Sequence, residues 1–99
     1  MTHYALIGHP LGHSLSPQIH RALLAAAHLE GDYRLLDIAP EDLANRLPEL
    51  QTLRGFNVTI PHKQAVLSAM AELDEKAALF GAVNTVAVRD GKFYGYNTD

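Results

Sequence analysis

Apolar residues follow two alternating patterns along the chain. Short apolar runs of strand length stand at residues 4–8, 33–38 and 55–59. The segments between them are rich in helix formers, and QIHRALLAAAHLEG (18–31) carries one apolar stripe at helical spacing, formed by Ile19, Leu23, Ala26 and Ala27. The pattern predicts strands that alternate with helices.

Capping residues set the bounds of the first two predicted helices. Ser16 is a natural N-cap, with Pro17 at the first helical position and Gly31 as a stop signal. The second helix begins at Pro40, and Pro48 is expected to end or kink it.

The last forty residues predict two more helices and a hairpin. The segment PHKQAVLSAMAEL (61–73) is expected to be a third helix that starts at Pro61, and DEKAALFG (74–81) a shorter one that ends at Gly81. Two alternating runs joined by Asp90 and Gly91 predict a β-hairpin.

The predicted order is β-α-β-α-β-α-α-β-β. It indicates an α/β fold: a three-layer domain with a mostly parallel, mixed sheet, whose final hairpin is antiparallel, flanked by helices. Residues 1–99 are expected to form this single domain.

Composition restricts the class of protein further. Hydrophobic residues make up 47% of the chain and charged residues 19%, and the formal net charge is -3. This balance argues against a nucleic-acid or anionic-membrane partner, which would need clustered basic charge. There is no cysteine, no secretory signal and no apolar segment near the ~20 residues of a membrane span. A cytoplasmic location is the expectation.

Ligands of open α/β sheets gather at the carboxyl ends of the strands. That rule selects four segments here, at residues 8–17, 59–63, 82–85 and 97–99. The polar residues of the chain concentrate in these places, so this edge is the expected site.

Ser14 and Ser16 stand at the start of the first predicted helix. Free backbone N–H groups and the helix dipole favour an anion there, so a carboxylate or phosphate site is one interpretation. Simple helix capping is the other, although one cap needs only one serine.

Lys63 falls within the first turn of the third predicted helix, where the dipole disfavours a cation. It is either a solvated surface lysine or a group whose pKa is lowered by the helix end and partial burial, suited to proton transfer or to an oxygen that develops charge. Thr59 would present a hydroxyl at the same edge.

Asn84 and Asp99 complete the polar set. Asn84 could instead satisfy local backbone groups, and Asp99 could be a frayed terminal residue. Asp99 beside Lys63 would orient the ammonium and raise its pKa, which opposes the helix effect, so the net direction stays open.

No metal site is expected. His9 and His13 are four residues apart, but Pro10 and Gly12 make the helix needed for that spacing improbable. The remaining histidines look like surface or partly buried residues: His3, His20, His28 and His62. The sequence also lacks GxGxxG and GxxxxGK[ST], so it has no visible nucleotide-binding loop.

Four motifs in this order and spacing resemble the amino-terminal, substrate-binding domain of shikimate dehydrogenase: GHPLGHSLSP, FNVTIPHK, GAVNT and YNTD. They span Gly8 to Asp99. The resemblance implies reversible hydride transfer between NADPH and 3-dehydroshikimate, which gives shikimate in aromatic amino-acid biosynthesis.

The resemblance also implies roles for individual residues. The serines matching Ser14 and Ser16 bind the shikimate carboxylate. The threonine matching Thr59 and the asparagine matching Asn84 bind the substrate further along. The residues matching Lys63 and Asp99 bind the reacting hydroxyl and assist its proton transfer, and are therefore catalytic. A glutamate in the place of Glu75 can lie near the cofactor.

The family enzyme continues beyond the NTD motif into an NADP-binding Rossmann domain. This chain is therefore expected to be an excised domain, inactive alone, with an exposed interdomain surface through which it could self-associate. The alternatives are a fragment of a quinate/shikimate dehydrogenase that uses NAD, and a stand-alone, non-catalytic module that binds a hydroxy acid.

Overall fold

The computed structural model describes residues 3–10 and 32–98. The first predicted helix, with Ser14 and Ser16, and the terminal Asp99 lie outside the described residues. The strands are β1 (His3–Gly8), β2 (Asp32–Asp37), β3 (Gly55–Val58), β4 (Met70–Leu73), β5 (Thr85–Arg89) and β6 (Lys92–Tyr96). The α-helices are α1 (Leu43–Leu50), α2 (His62–Ala65) and α3 (Glu75–Phe80), with 3₁₀ turns at Pro40–Asp42 and Val66–Ala69.

The six strands form one mixed sheet in the order β2-β1-β3-β5-β6-β4. Strand β1 pairs in parallel with β2 and β3, and β4 pairs in parallel with β6. Strand β5 runs antiparallel to both of its neighbours, β3 and β6. The predicted α/β fold with an antiparallel hairpin is confirmed.

One face of the sheet packs against the described helices. Alternate residues of the strands, such as Ala5 and Ile7 of β1, are buried in a single core with Leu50 of α1. Fully burying a side chain such as Leu50 contributes about 1.5–3 kcal/mol. Phe56 and Phe93 meet edge to face, with ring centroids 5.6 Å apart, and so join β3 to β6 across β5.

The hairpin forms where the sequence predicts it. Strands β5 and β6 are joined by Asp90 and Gly91, whose φ angles are 53° and 73°. Two consecutive positive φ angles are typical of the type I′ turn, whose twist matches that of the paired strands.

The prediction of one long third helix is wrong. Helix α2 lasts only four residues, a 3₁₀ turn follows, and residues 70–73 form the edge strand β4. Met, Ala, Glu and Leu are good helix formers, but pairing of β4 with β6 outweighs that weak local preference.

Gly95 of β6 makes this pairing possible. A Cβ atom at Gly95 would lie 2.8 Å from Val83 Cγ2 and 3.0 Å from both Leu73 Cδ2 and Met70 Sδ. The close approach of β4 therefore depends on a residue without a side chain.

The second predicted helix differs from the observed one at both its start and its end. Its first turn is 3₁₀, and α1 continues past Pro48 to Leu50. Pro48 lies near the carboxyl end of α1, and burial of Leu50 in the core favours the two further helical residues. In the described ranges, no helix has the length and apolar character needed to cross a bilayer.

Candidate functional site

The carboxyl ends of β1, β2, β3 and β6 meet the start of β5 at one edge of the sheet. The Thr59 N–H donates to the Ile7 carbonyl (2.9 Å), and the Val58 N–H donates to the Asn84 carbonyl (2.8 Å). The Asn84 N–H in turn donates to the Tyr96 carbonyl at 3.0 Å. The segments that carry Thr59 and Asn84 are therefore neighbours, as the sequence predicts.

Lys63 is the second residue of α2 and is half-buried. Its carbonyl accepts from the Val83 N–H at 2.9 Å, so it lies next to the segment that leads to Asn84. Pro61 precedes the helix instead of beginning it, and α2 spans four residues. The expected unfavourable dipole at Lys63 is correspondingly small, because few peptide units are aligned.

The turn that carries Lys63 is held by bonds from other elements. The Ile60 carbonyl accepts from the His9 N–H (3.1 Å), and the His62 N–H donates to the Thr59 carbonyl (3.0 Å). No side chain of the described residues caps the start of α2. The place of α2 is therefore set by bonds to the sheet edge, and no capping signal of its own fixes its start.

His62 is fully buried, so the prediction of a surface or partly buried histidine is wrong. Its Nε2 lies 2.6 Å from the Ile38 carbonyl oxygen. A carbonyl oxygen only accepts, so Nε2 carries the proton and donates it. Within the described parts of the chain, Nδ1 is buried without a partner.

The side chain of Asn84 contacts the residue before Asp99. Its Oδ1 accepts from the Thr98 N–H (3.1 Å) and from the Thr85 hydroxyl (3.0 Å), and its Nδ2 donates to the Thr98 hydroxyl (3.1 Å). These bonds fit the interpretation that Asn84 satisfies local groups. Nδ2 has two N–H groups, and its bond to Thr98 uses one of them among the described residues.

Asn57 of β3 links Thr85, the residue after Asn84, to Tyr33 on the edge strand β2. Its Oδ1 accepts from the Tyr33 hydroxyl at 2.7 Å, and its Nδ2 lies 3.3 Å from the Thr85 hydroxyl oxygen. Burial raises the pKa of Tyr33 to about 12, because the anionic phenolate is poorly solvated there.

The tail after β6 is held by the two ends of α3. Asp74 Oδ1 accepts from the Ala77 N–H (2.8 Å), which caps α3, and from the Asn97 N–H (3.3 Å). Asn97 Nδ2 donates to the Ala82 carbonyl at 3.2 Å. Together with the bonds between Asn84 and Thr98, these contacts fix residues 97 and 98, which lead to Asp99.

Of the remaining predicted residues, His9 meets this edge through its backbone N–H, which donates to the Ile60 carbonyl (3.1 Å). Glu75 is exposed at the start of α3. His9 Nδ1 lies 2.6 Å from Asp37 Oδ1, while His13 lies outside the described residues. In residues 3–10 and 32–98, no group of three or more His, Asp or Glu side chains could hold a metal ion.

Sequence reasoning missed the residues that support the site, namely Asn57, His62, Asp74 and Asn97. A polar residue inside an apolar strand was the available signal for Asn57. His62 and Asn97 lie within the quoted motifs, but no local pattern indicates that they are buried.

In α/β domains of this kind, small molecules bind where polar residues gather at the carboxyl edge of the sheet. The fold and the site therefore place this chain in the general class of small-molecule-binding domains. The sequence profile of the shikimate dehydrogenase substrate binding domain matches residues 6–86. The chain belongs to this family.

Individual relatives agree with this assignment. Over 97 residues the chain is 50% identical to the NADP(+) shikimate dehydrogenase of Oceanobacillus iheyensis, covering 95% of the chain and 35% of that protein. It superposes with a TM-score of 0.85 and 41% identity on shikimate 5-dehydrogenase of Thermus thermophilus, solved with NADP(H) and shikimate, covering 99% of this chain and 38% of that one. The chain thus spans about a third of the length of these relatives.

A relative with another name shares the fold equally well. The 5-ketofructose reductase of Gluconobacter sp. strain CHM43 superposes with a TM-score of 0.84 and 32% identity, covering 98% of this chain and 36% of that one. The domain fold alone therefore does not define a substrate.

Proposed function

We propose that this chain is the substrate-binding and catalytic-residue part of an NADP-dependent shikimate dehydrogenase, which reversibly reduces 3-dehydroshikimate to shikimate. The main support is the convergence of Thr59, Lys63 and Asn84 at one sheet edge, in a member of this family. A cytoplasmic location and a place in aromatic amino-acid biosynthesis belong to the same proposal.

Lys63 is the proposed catalytic centre of the chain. As a carbonyl is reduced, its oxygen gains negative charge and needs a proton, and a lysine within hydrogen-bond reach supplies both stabilisation and a proton. Asp99 is its proposed partner, since a carboxylate accepts a charge-assisted hydrogen bond from an ammonium and so orients it.

The other site residues are proposed to bind the substrate without taking part in proton transfer. Among the described residues, Asn84 retains an N–H for a substrate hydroxyl, and the half-buried Thr59 offers a hydroxyl at the same edge. Ser14 and Ser16 are proposed to bind the substrate carboxylate.

NADP, which supplies the hydride when bound, does not fit the residues of this chain alone. The sequence has no glycine-rich phosphate loop, and Glu75, the proposed cofactor contact, is a single exposed residue. The cofactor would be bound mainly by parts of the enzyme outside residues 1–99. The isolated chain is therefore proposed to be inactive.

Residues 1–99 are proposed to be one substrate-binding domain, with its interdomain surface exposed. Leu79 and Phe80 at the end of α3 are large apolar residues that are 76% and 58% exposed. Self-association through exposed apolar surface is the accompanying proposal.

The similarity to 5-ketofructose reductase favours a second candidate, an enzyme that reduces another polyhydroxylated ketone. The experiment is an activity assay of the full-length parent enzyme with shikimate, quinate and 5-ketofructose, each with NADP(H) and NAD(H) in the matching direction. The proposal expects the highest kcat/KM with shikimate and NADP. A preference for quinate with NAD or for 5-ketofructose would replace it, and shikimate binding without turnover would favour a non-catalytic module.

A further inference from the structure

His62 presents an energetic problem. It is fully buried, yet its Nδ1 has no partner among the described residues. Leaving such an acceptor buried and unpaired destabilises the folded chain, and an apolar ring of similar volume would avoid that loss. The hydrogen bond from Nε2 to the Ile38 carbonyl is the contact that offsets this loss.

That hydrogen bond joins α2 to a fixed point of the sheet. Ile38 directly follows β2, is 1% exposed, and donates its own N–H to the Gly8 carbonyl at 3.0 Å. Its carbonyl is therefore held at the ends of both β1 and β2. The 2.6 Å bond to this carbonyl fixes the position of His62, which directly precedes Lys63.

Helix α2 needs such an external anchor. A single turn has little stability of its own, and no described side chain caps this one. Its other described anchors, at Thr59, Ile60 and Lys63, use backbone groups that all sequences share. The His62 bond is an anchor that depends on the identity of a side chain.

We propose that His62 is a positioning residue, which holds Lys63 against the reacting oxygen of the substrate through its Nε2 bond to the Ile38 carbonyl. The inference rests on the proposed role of Lys63. His62 is buried and acts through Lys63, so it is not itself catalytic. Misplacing a reacting group by about 1 Å can cost about 100-fold in rate.

The test measures kcat and KM of the full-length enzyme, well below the melting temperature of each variant. His62→Gln keeps an amide nitrogen as many bonds from Cβ as Nε2, whereas the amide of His62→Asn is one bond shorter. His62→Phe keeps a buried ring without the donor. Val66→Ala, in the same buried segment, is the stability control.

His62→Phe and His62→Asn are expected to lower kcat about 10- to 100-fold with KM within about threefold, as for a displaced catalytic group. His62→Gln should restore kcat to within about fivefold of wild type, and Val66→Ala should keep kcat within about threefold while lowering the melting temperature.

Two outcomes would overturn the inference while Lys63→Ala still abolishes turnover: unchanged kcat in His62→Phe or His62→Asn, or equal losses in the Gln and Asn variants. If His62→Phe does not fold, the Gln and Asn pair decides. If Lys63→Ala itself keeps its kcat, the proposed function fails first.

Discussion

The two short helices α2 and α3 are built in different ways. Helix α3 has a local signal at each end, because Asp74 caps its first turn and Gly81 closes it in the left-handed conformation (φ 63°). Helix α2 has neither signal in the described structure. It is held by the bonds from Val83 to Lys63 and from His62 to Ile38.

This difference matches the different roles of the two helices: α3 supports the chain tail, and α2 carries the proposed catalytic residue. Local caps fix both ends of α3, which suits it as support for the tail at Asn97. A helix fixed by distant contacts has its position set by the sheet edge, where the proposed substrate lies. The proposed catalytic lysine is on this second helix.

Replacing Lys63 with alanine is expected to have the largest effect, and it tests the chemical side of the comparison. In the full-length enzyme, Lys63→Ala should lower kcat about 100- to 10,000-fold, the usual range for a general acid, and weaken substrate binding far less. Steady-state kinetics with shikimate measure both. Equal losses in kcat and in substrate affinity would make Lys63 a binding residue instead, and Lys76→Ala on α3 is the control.

The same contrast explains what could be predicted from sequence. The Asp90-Gly91 hairpin and the end of α3 at Gly81 were predicted correctly, because turn and cap signals are local. Strand β4 was predicted as helix, because its formation depends on the distant Gly95. The placement of Thr59 and Asn84 at one edge followed from topology, but the burial of His62 depends on packing that no local pattern records.

Replacing Gly95 with alanine tests the long-range side of the comparison. The new methyl group would lie 2.8 Å from Val83 Cγ2, in a packed core, so Gly95→Ala should lower the free energy of unfolding by about 1–3 kcal/mol. Chemical denaturation measures the loss. Gly91→Ala is an informative comparison. No described atom beyond its two chain neighbours lies within 4 Å of the added Cβ, so its cost should come from its φ of 73° instead. Unchanged stability in Gly95→Ala would argue against the close packing of β4.

Removing the cap of α3 tests the local side. Asp74→Ala should cost about 0.5–2 kcal/mol of stability, since the Ala77 N–H loses its acceptor. Asp74→Asn keeps an oxygen acceptor and should lose a few tenths of a kcal/mol at most, by a rough estimate for a good N-cap residue. Thermal unfolding compares the two variants. Equal losses would show that the charge of Asp74, and not its capping bond, stabilises α3.

The smallest expected effect concerns Tyr33, which should make the stability of the folded chain depend on pH. Its pKa is raised from 10.0 to about 12, so its contribution to stability is full below pH 10 and is lost as pH rises through 12. The stability difference between wild type and Tyr33→Phe should therefore shrink above pH 10. An absorbance titration of the four tyrosines should show a late component that is absent from Tyr33→Phe. A late component that persists in the variant would assign the raised pKa to another tyrosine.

Shikimate is proposed to bind at the carboxyl edge of the sheet, and a titration of the chain with shikimate, followed by amide chemical shifts, tests this most directly. Saturable shifts concentrated at Thr59, Lys63 and Asn84, together with Ser14 and Ser16, are the predicted result. Residues of the Asp90-Gly91 turn, at the opposite end of β5, should remain unchanged. A folded chain whose spectrum shows no shift near Lys63 at high shikimate, or whose shifts lie at the hairpin turn, would contradict the account.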